Sequence, residues 1–314
     1  MKKRKLGKSG IEVSAMGLGC WAIGGGEMFP GIDDSESVRA LHAAIEMGVG
    51  LLDTCEGYGP ESHSETIIGK AIRGRRDNVV LCTKFKPYQK TESDIRKALE
   101  GSLNRLGTDY LDLYLCREGG YTPEQRDIYN TTLQALQEEG KIRAYGISSD
   151  ALPSIEHQVN NANPVVCEIP FSIIKRSDEA LAFAETHGLA VMNKSPLGMG
   201  MLTGKFNKDT IFLKGDLRGR TGPGFEWLTE YFDNGKPHPD FLTKLEAIRE
   251  ILTSKNRTLL QGALAWLWGR SPVNIPIPGF KNTRQVTENC GALEFGPLLL
   301  EQMDEIEKIF NISQ

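Results

Sequence analysis

Eight short apolar runs, near residues 16, 51, 79, 111, 143, 166, 190 and 274, are separated by stretches with helical spacing. A strand that leads into an amphipathic helix can return beside itself only as a parallel neighbour, and eight such units close into a (β/α)8 TIM barrel. The spacing predicts helices over residues 35–47, 64–72, 95–106, 133–139, 152–159, 178–186, 241–252, 258–268 and 298–310. Before the first run, Lys5 to Val13 reads as a β-hairpin with a glycine-bearing turn. The alternation breaks from Met199 to Pro239, a Gly- and Pro-rich loop carrying Phe206, Phe212, Phe225, Trp227, Tyr231 and Phe232. So many aromatics predict an ordered lid before the last barrel units. At 314 residues the expectation is one barrel domain spanning 1–314.

A formal net charge of -4 supplies no basic face for a nucleic acid. The basic start, Met1 to Lys5, is not followed by an apolar signal region, and no run approaches the roughly 20 apolar residues of a membrane span. A soluble, cytoplasmic protein with a small-molecule partner is expected. The six cysteines are widely spaced and form no C-x-x-C pair, which argues against a metal or a dithiol.

Barrel enzymes place their chemistry at the strands' carboxyl ends. Here those ends hold Trp21, Asp53, Lys84, Arg117, Ser148, Glu168, Ser195 and Gly279. Tyr58 follows Asp53 in a glycine-flanked loop. A phenol titrates near pH 10, so its use near neutrality calls for a cation, and Lys84 on the next strand offers one. Gly17 to Ala22 also fits G-x-G-x-x-G/A, but that fingerprint must open a helix, and here it opens Gly24-Gly25-Gly26.

The chain resembles the aldo-keto reductase family over essentially its whole length. The motifs are Gly17-Leu18-Gly19-Cys20-Trp21, Asp53-Thr54 with Tyr58, Thr83-Lys84, Asp112-Leu113-Tyr114, Gly146-Ile147-Ser148, Ser195-Pro196-Leu197-Gly198 with Gly204, and Ile275 to Gly279 with Glu288-Asn289. The resemblance implies hydride exchange between a nicotinamide dinucleotide and a carbonyl. Tyr58 would be the proton donor, Lys84 would lower its pKa, and Asp53 would keep Lys84 charged. It also implies a dinucleotide site at the end of the eighth strand, with Gly279, Lys281, Asn282, Arg284, Gln285, Glu288 and Asn289. The loop Ser195 to Gly204 would arch over the pyrophosphate. Free N–H groups at a helix start near Asn282, with Lys281 and Arg284, favour NADP(H) over NAD(H).

Several positions depart from the family pattern. Arg117 stands where a histidine is usual; a guanidinium only donates and stays charged, so it favours an anionic or sugar-like substrate unless Glu118 or Glu168 neutralises it. At the nicotinamide, Ser148-Ser149 replaces Ser-Asn, Glu168 replaces a glutamine, and Phe171 replaces a stacking tyrosine. Glu168 is expected to take the carboxamide N–H or to pair with Arg117. Three readings follow: a net NADP(H)-dependent reductase, a redox-neutral epimerase or elimination enzyme that retains NADP, and a cofactor-sensing subunit.

Overall fold

The computed structural model describes residues 3–86 and 91–311. Met1 and Lys2 of the basic start therefore lie outside the described residues. The chain opens with a hairpin, β1 (Lys3–Lys5) and β2 (Glu12–Ser14), paired antiparallel. The barrel then alternates β3 (Leu18–Gly19), α1 (Asp34–Glu46), β4 (Leu51–Asp53), α2 (His63–Ile72), β5 (Val80–Phe85), α3 (Glu92–Leu106), β6 (Leu111–Arg117) and α4 (Pro123–Glu138). It continues through β7 (Ile142–Ser148), α5 (Leu152–Asn161), β8 (Val166–Pro170), α6 (Asp178–His187) and β9 (Ala190–Lys194). After the lid come α7 (Pro239–Ala247), α8 (Arg249–Thr253), α9 (Leu259–Arg270), β12 (Asn274–Pro276), α10 (Thr283–Gly291) and α11 (Leu300–Asn311).

Eight strands form one parallel sheet in the order β12-β9-β8-β7-β6-β5-β4-β3. A Gly19–Gly279 bridge joins the two outer strands, with Gly17 N–H donating to Pro276 O and Gly19 N–H to Pro278 O. Glycine is required at this joint, because a Cβ on Gly19 would lie 2.7 Å from Ile277 O. The sheet is thus the expected barrel. The stretch read as one helix over 241–252 is two, with the break at Ile248.

Several helices are set by local chemistry. Asp33 caps α1 by accepting from Glu36 N–H, and Thr91, Thr122 and Thr258 form capping boxes with Asp94, Gln125 and Gln261 at the starts of α3, α4 and α9. α9 is almost wholly apolar and buried, so it packs as an inner helix with Trp266 in the core.

The lid does form its own structure. It holds 3-10 turns at Gly198–Thr203, Leu217–Gly219 and Glu226–Glu230 and a small hairpin, β10 (Phe232–Asp233) and β11 (Lys236–Pro237). Phe206, Phe212 and Phe232 meet edge to face at 5.2–6.4 Å, a local aromatic core that fixes the loop's shape.

Candidate active site

Side chains alternate along a strand, so every second residue of a barrel strand points inward. Leu51, Cys82, Leu113, Leu115, Ala144, Val166, Ala190, Met192, Ile275 and Ile277 belong to one buried cluster, the barrel interior. Two residues further along each strand, or four on β7 where Gly146 intervenes, the same inward rows end in Asp53, Lys84, Arg117, Ser148, Glu168, Lys194 and Gly279. The ring expected from the sequence is met at these positions except on β9. There the period of two selects Lys194, whereas Ser195 adopts a left-handed backbone (φ 51°) and turns its hydroxyl toward Met199 Sδ. Lys194 pairs with Asp150 at 2.6 Å. Sequence reasoning missed both, although counting from Met192 in steps of two would have found Lys194.

At the centre lies a buried charge cluster. Lys84 Nζ donates to Asp53 Oδ1 at 2.5 Å and to Thr54 O at 2.9 Å, and approaches Glu168 Oε2 at 3.0 Å. Ser148 Oγ donates to Glu168 Oε1 at 3.0 Å. Glu168 is therefore the partner of Lys84, not of Arg117. Burial opposes the Lys84 charge, but Asp53 and Glu168 outweigh it and hold the ammonium well above the usual lysine range. Asp53 is pushed up to about 7, by burial first and then by Glu168, against the pull of Lys84. Burial also acts to raise Glu168, but Lys84 and Lys194 hold it below the usual carboxylate range. One lysine facing two carboxylates leaves one of them short of charge compensation.

Tyr58 enters this site from the loop after β4. Its N–H donates to Cys55 O, its carbonyl accepts from Ser64 N–H at the start of α2, and its ring stacks on Trp21 at 5.7 Å. The loop sits so close to the first strand's turn that a Cβ on Gly59 would lie 2.1 Å from Gly24 O. Lys84 Nζ is 5.5 Å from the Tyr58 ring centre, with no hydrogen bond between the two side chains. Desolvation raises the phenol above its ordinary range; Lys84 draws it down, as the sequence implied, but Asp53 and Glu168 push it up again. The net direction is upward, so the hydroxyl is held protonated at neutral pH.

The half-buried Trp21 also meets Phe29 edge-on at 5.2 Å and Trp227 of the lid at 6.3 Å. Trp227 remains 41% exposed. Arg117 is exposed beside the Tyr58 loop, its Nη1 3.8 Å from where a Gly57 Cβ would stand, and Cys55 and Tyr58 both act on its charge. Among the described residues no carboxylate lies within ion-pair distance of Arg117, because Glu118 is engaged by Arg126 at 3.3 Å and Glu168 by Lys84.

The far side of the mouth is basic. Lys205 and Arg218 of the lid face Lys281 and Arg284 beyond β12, with Asp216 held by Arg218. Although the Lys205 side chain is largely exposed, desolvation of its ammonium and then Arg218, Lys281 and Arg284 bring it down to about 8. Cations this crowded call for a polyanion. Asn289 is buried, donates to Gly279 O at 3.3 Å, and leaves its Oδ1 without a partner. An acceptor so placed suits an exocyclic amine. These groups fit a phosphorylated dinucleotide.

Other expected contacts are placed differently. The α10 start does not offer a set of free N–H groups: Thr283 N–H donates to Glu36 Oε1 at 2.7 Å, Gln285 N–H to Asn282 Oδ1, and Lys281 N–H to Gln285 Oε1. Phe171 is fully buried and stacked on Trp266 at 5.7 Å, so it presents no ring face to the mouth. Ser149 uses its hydroxyl on the Ala151 backbone. Leu197 O accepts from Gly200 and Leu202 N–H in the turn that runs from Ser195 and Pro196 through Gly198 to Gly204. Glu288 lies 3.9 Å from Arg284.

A parallel eight-stranded barrel whose mouth joins a lysine–carboxylate pair to a tyrosine loop defines a (β/α)8-barrel oxidoreductase of the C=O/CH–OH type. Residues 15–311 match the aldo/keto reductase family, and the chain belongs to it. It is 34% identical over 319 residues to the uncharacterized oxidoreductase YqkF of Bacillus subtilis (strain 168), covering 98% of this chain and 96% of that one. It is 29% identical to the NADH-specific methylglyoxal reductase of Escherichia coli (strain K12), covering 93% and 94%. The aldo-keto reductase from Klebsiella pneumoniae in complex with NADPH superposes with a TM-score of 0.74 at 26% identity, over 99% and 96% of the two chains.

Proposed function

We propose that this chain, acting as a single barrel domain over residues 1–314, uses NADP(H) to reduce the carbonyl of a small anionic substrate, with Tyr58 as the proton donor. The observation that carries the substrate class is Arg117, an exposed guanidinium beside the Tyr58 loop with no carboxylate partner among the described residues. Paired with a substrate carboxylate, sulfonate or phosphate, it would fix the anion while the carbonyl faces Tyr58. A dinucleotide held by Lys205, Arg218, Lys281 and Arg284 would supply the hydride for the carbonyl carbon. The Tyr58 hydroxyl, held protonated, hydrogen-bonds the carbonyl oxygen and delivers its proton as negative charge develops there. Lys84, kept charged by its carboxylates, stabilises the phenolate left behind until solvent restores the proton. Trp21 and Trp227 supply a partly open aromatic wall that suits a planar or ring-bearing substrate.

On the cofactor, the Klebsiella relative was crystallised with NADPH, whereas the E. coli relative is NADH-specific. The Lys205, Arg218, Lys281 and Arg284 cluster supports the 2'-phosphorylated form here.

The test is NADPH consumption with 4-carboxybenzaldehyde and with benzaldehyde. A kcat/KM at least about tenfold higher for the anion is expected. Equal values would remove the anionic-substrate reading, and no consumption with any of a broad carbonyl panel would remove net reduction. The surplus carboxylate at Lys84 also favours a second reading, in which NADP is retained and the hydride returned within each turnover. Substrate conversion without a net change in NADPH absorbance would select it.

A further inference from the structure

Glu168 introduces a charge that hydrogen bonding alone does not explain. Its side chain is only 1% exposed, Oε1 accepts from Ser148, and Oε2 has an ion contact with Lys84 but no hydrogen bond. Lys84 already donates to Asp53 and Thr54. Lys194, the other lysine acting on Glu168, is drawn away by Asp150 at 2.6 Å. Arg117 acts on Glu168 only at a distance, with no ion contact between them among the described residues. Above about pH 7, where Asp53 too is ionised, Asp53, Lys84 and Glu168 together carry one uncompensated negative charge among buried side chains, so the charge count holds at pH 8.

A neutral amide at this position would contact a carboxamide equally well whatever the oxidation state of the ring beyond it. A carboxylate would not, because the oxidised nicotinamide is a cation and the reduced one is neutral, and burial strengthens that difference. We propose that Glu168 makes the site discriminate between the two redox states of the dinucleotide, holding NADP+ more tightly than NADPH. This deepens the reading of the chain as an NADP(H) enzyme and rests on it, including the place of the carboxamide beside Ser148. Two effects follow: the bound couple is poised toward the oxidised form, and release of NADP+ is slowed after each reduction.

The test is equilibrium titration of the full chain with NADP+ and with NADPH, read by quenching of protein fluorescence. For the wild type, Kd for NADPH exceeds Kd for NADP+. Glu168→Gln lowers that ratio about tenfold, chiefly by weakening NADP+, whereas Ser148→Ala removes a hydrogen bond without a charge and moves both constants together. A wild type that binds NADPH more tightly overturns the proposal, as does an unchanged ratio in Glu168→Gln. If Glu168→Gln fails to fold, the wild-type ratio decides. Binding of neither dinucleotide to the wild type overturns the cofactor reading as well, which separates the two failures.

Discussion

Glu168 Oε2 lies 3.0 Å from Lys84 Nζ, on an ammonium that Asp53 already holds at 2.5 Å. Burial first, and then Glu168 on the shared lysine, leave Asp53 with a carboxyl pushed up to about 7. A folded-state value above the unfolded one means that the Asp53 contribution to stability is fully present below the unfolded value, near 3.9, and is lost as pH rises through about 7. Thermal unfolding followed by circular dichroism should therefore show Tm falling between pH 5 and pH 8. Glu168→Gln returns Lys84 to Asp53 alone and should flatten that fall, raising Tm at pH 8 by about 2 °C. An unchanged slope would show that the pair is not shared in this way.

Tyr58→Phe removes the hydroxyl while keeping the ring that stacks on Trp21. The expected result is a loss of about 10²–10⁴ in kcat with the dinucleotide Kd unchanged within about twofold. Because the phenol sits above its ordinary range, the reduction rate of the wild type should not fall through Tyr58 ionisation up to about pH 9. Stopped-flow NADPH oxidation across that range measures both.

Arg117→Gln tests the anion site. KM for an anionic carbonyl should rise by about ten- to a hundredfold, the range of a lost charge-assisted hydrogen bond, while a neutral analogue of the same size is unaffected. A parallel loss for both would mean that Arg117 supports the Tyr58 loop and does not read the substrate.

Lys205 gives a pH signature at the other end of the mouth. Its value of about 8 in the free protein must rise when phosphate arrives, so NADPH affinity should weaken as pH climbs above about 8 and binding should take up a proton. Calorimetric titrations in buffers of different ionisation enthalpy report that proton. Lys205→Met should abolish the uptake and reduce the preference for NADPH over NADH.

The barrel was legible because an inward row of apolar residues at every second position survives in the sequence as short, regularly spaced runs. Asp53, Tyr58, Lys84 and Arg117 follow from the same geometry, since each sits on or just after a strand end. What was not legible depends on three-dimensional choices. Whether Glu168 turns to Arg117 or to Lys84 is a matter of which cation is buried beside it, and sequence spacing carries no such information. The sequence shows the ring of Phe171 but not that Trp266, distant in the chain, takes that ring into the core. Spacing alone leaves the backbone donors at the α10 start free, and Glu36 from α1, 247 residues away, takes one of them. Lys205 and Arg218 lay hidden in a lid whose fold no periodicity announces.

The seam at Gly19 and Gly279 sets an order on folding. Every other strand pair in the barrel joins neighbours in the strand sequence, whereas this one waits for both extremities of the barrel to be in place. Loop-closure entropy disfavours so distant a contact early in folding, and its few backbone bonds hold it less firmly than the long pairing of β6 with β7. Trp21 and Lys281 stand on either side, linked through Phe29, on which Lys281 lies at 5.5 Å. A dinucleotide spanning them would act as a clasp on that hinge line. Deuterium uptake at the Gly17 and Gly19 amides should accordingly slow on NADP+ addition more than uptake at β6 and β7, and equal slowing throughout would show that the barrel opens as a whole.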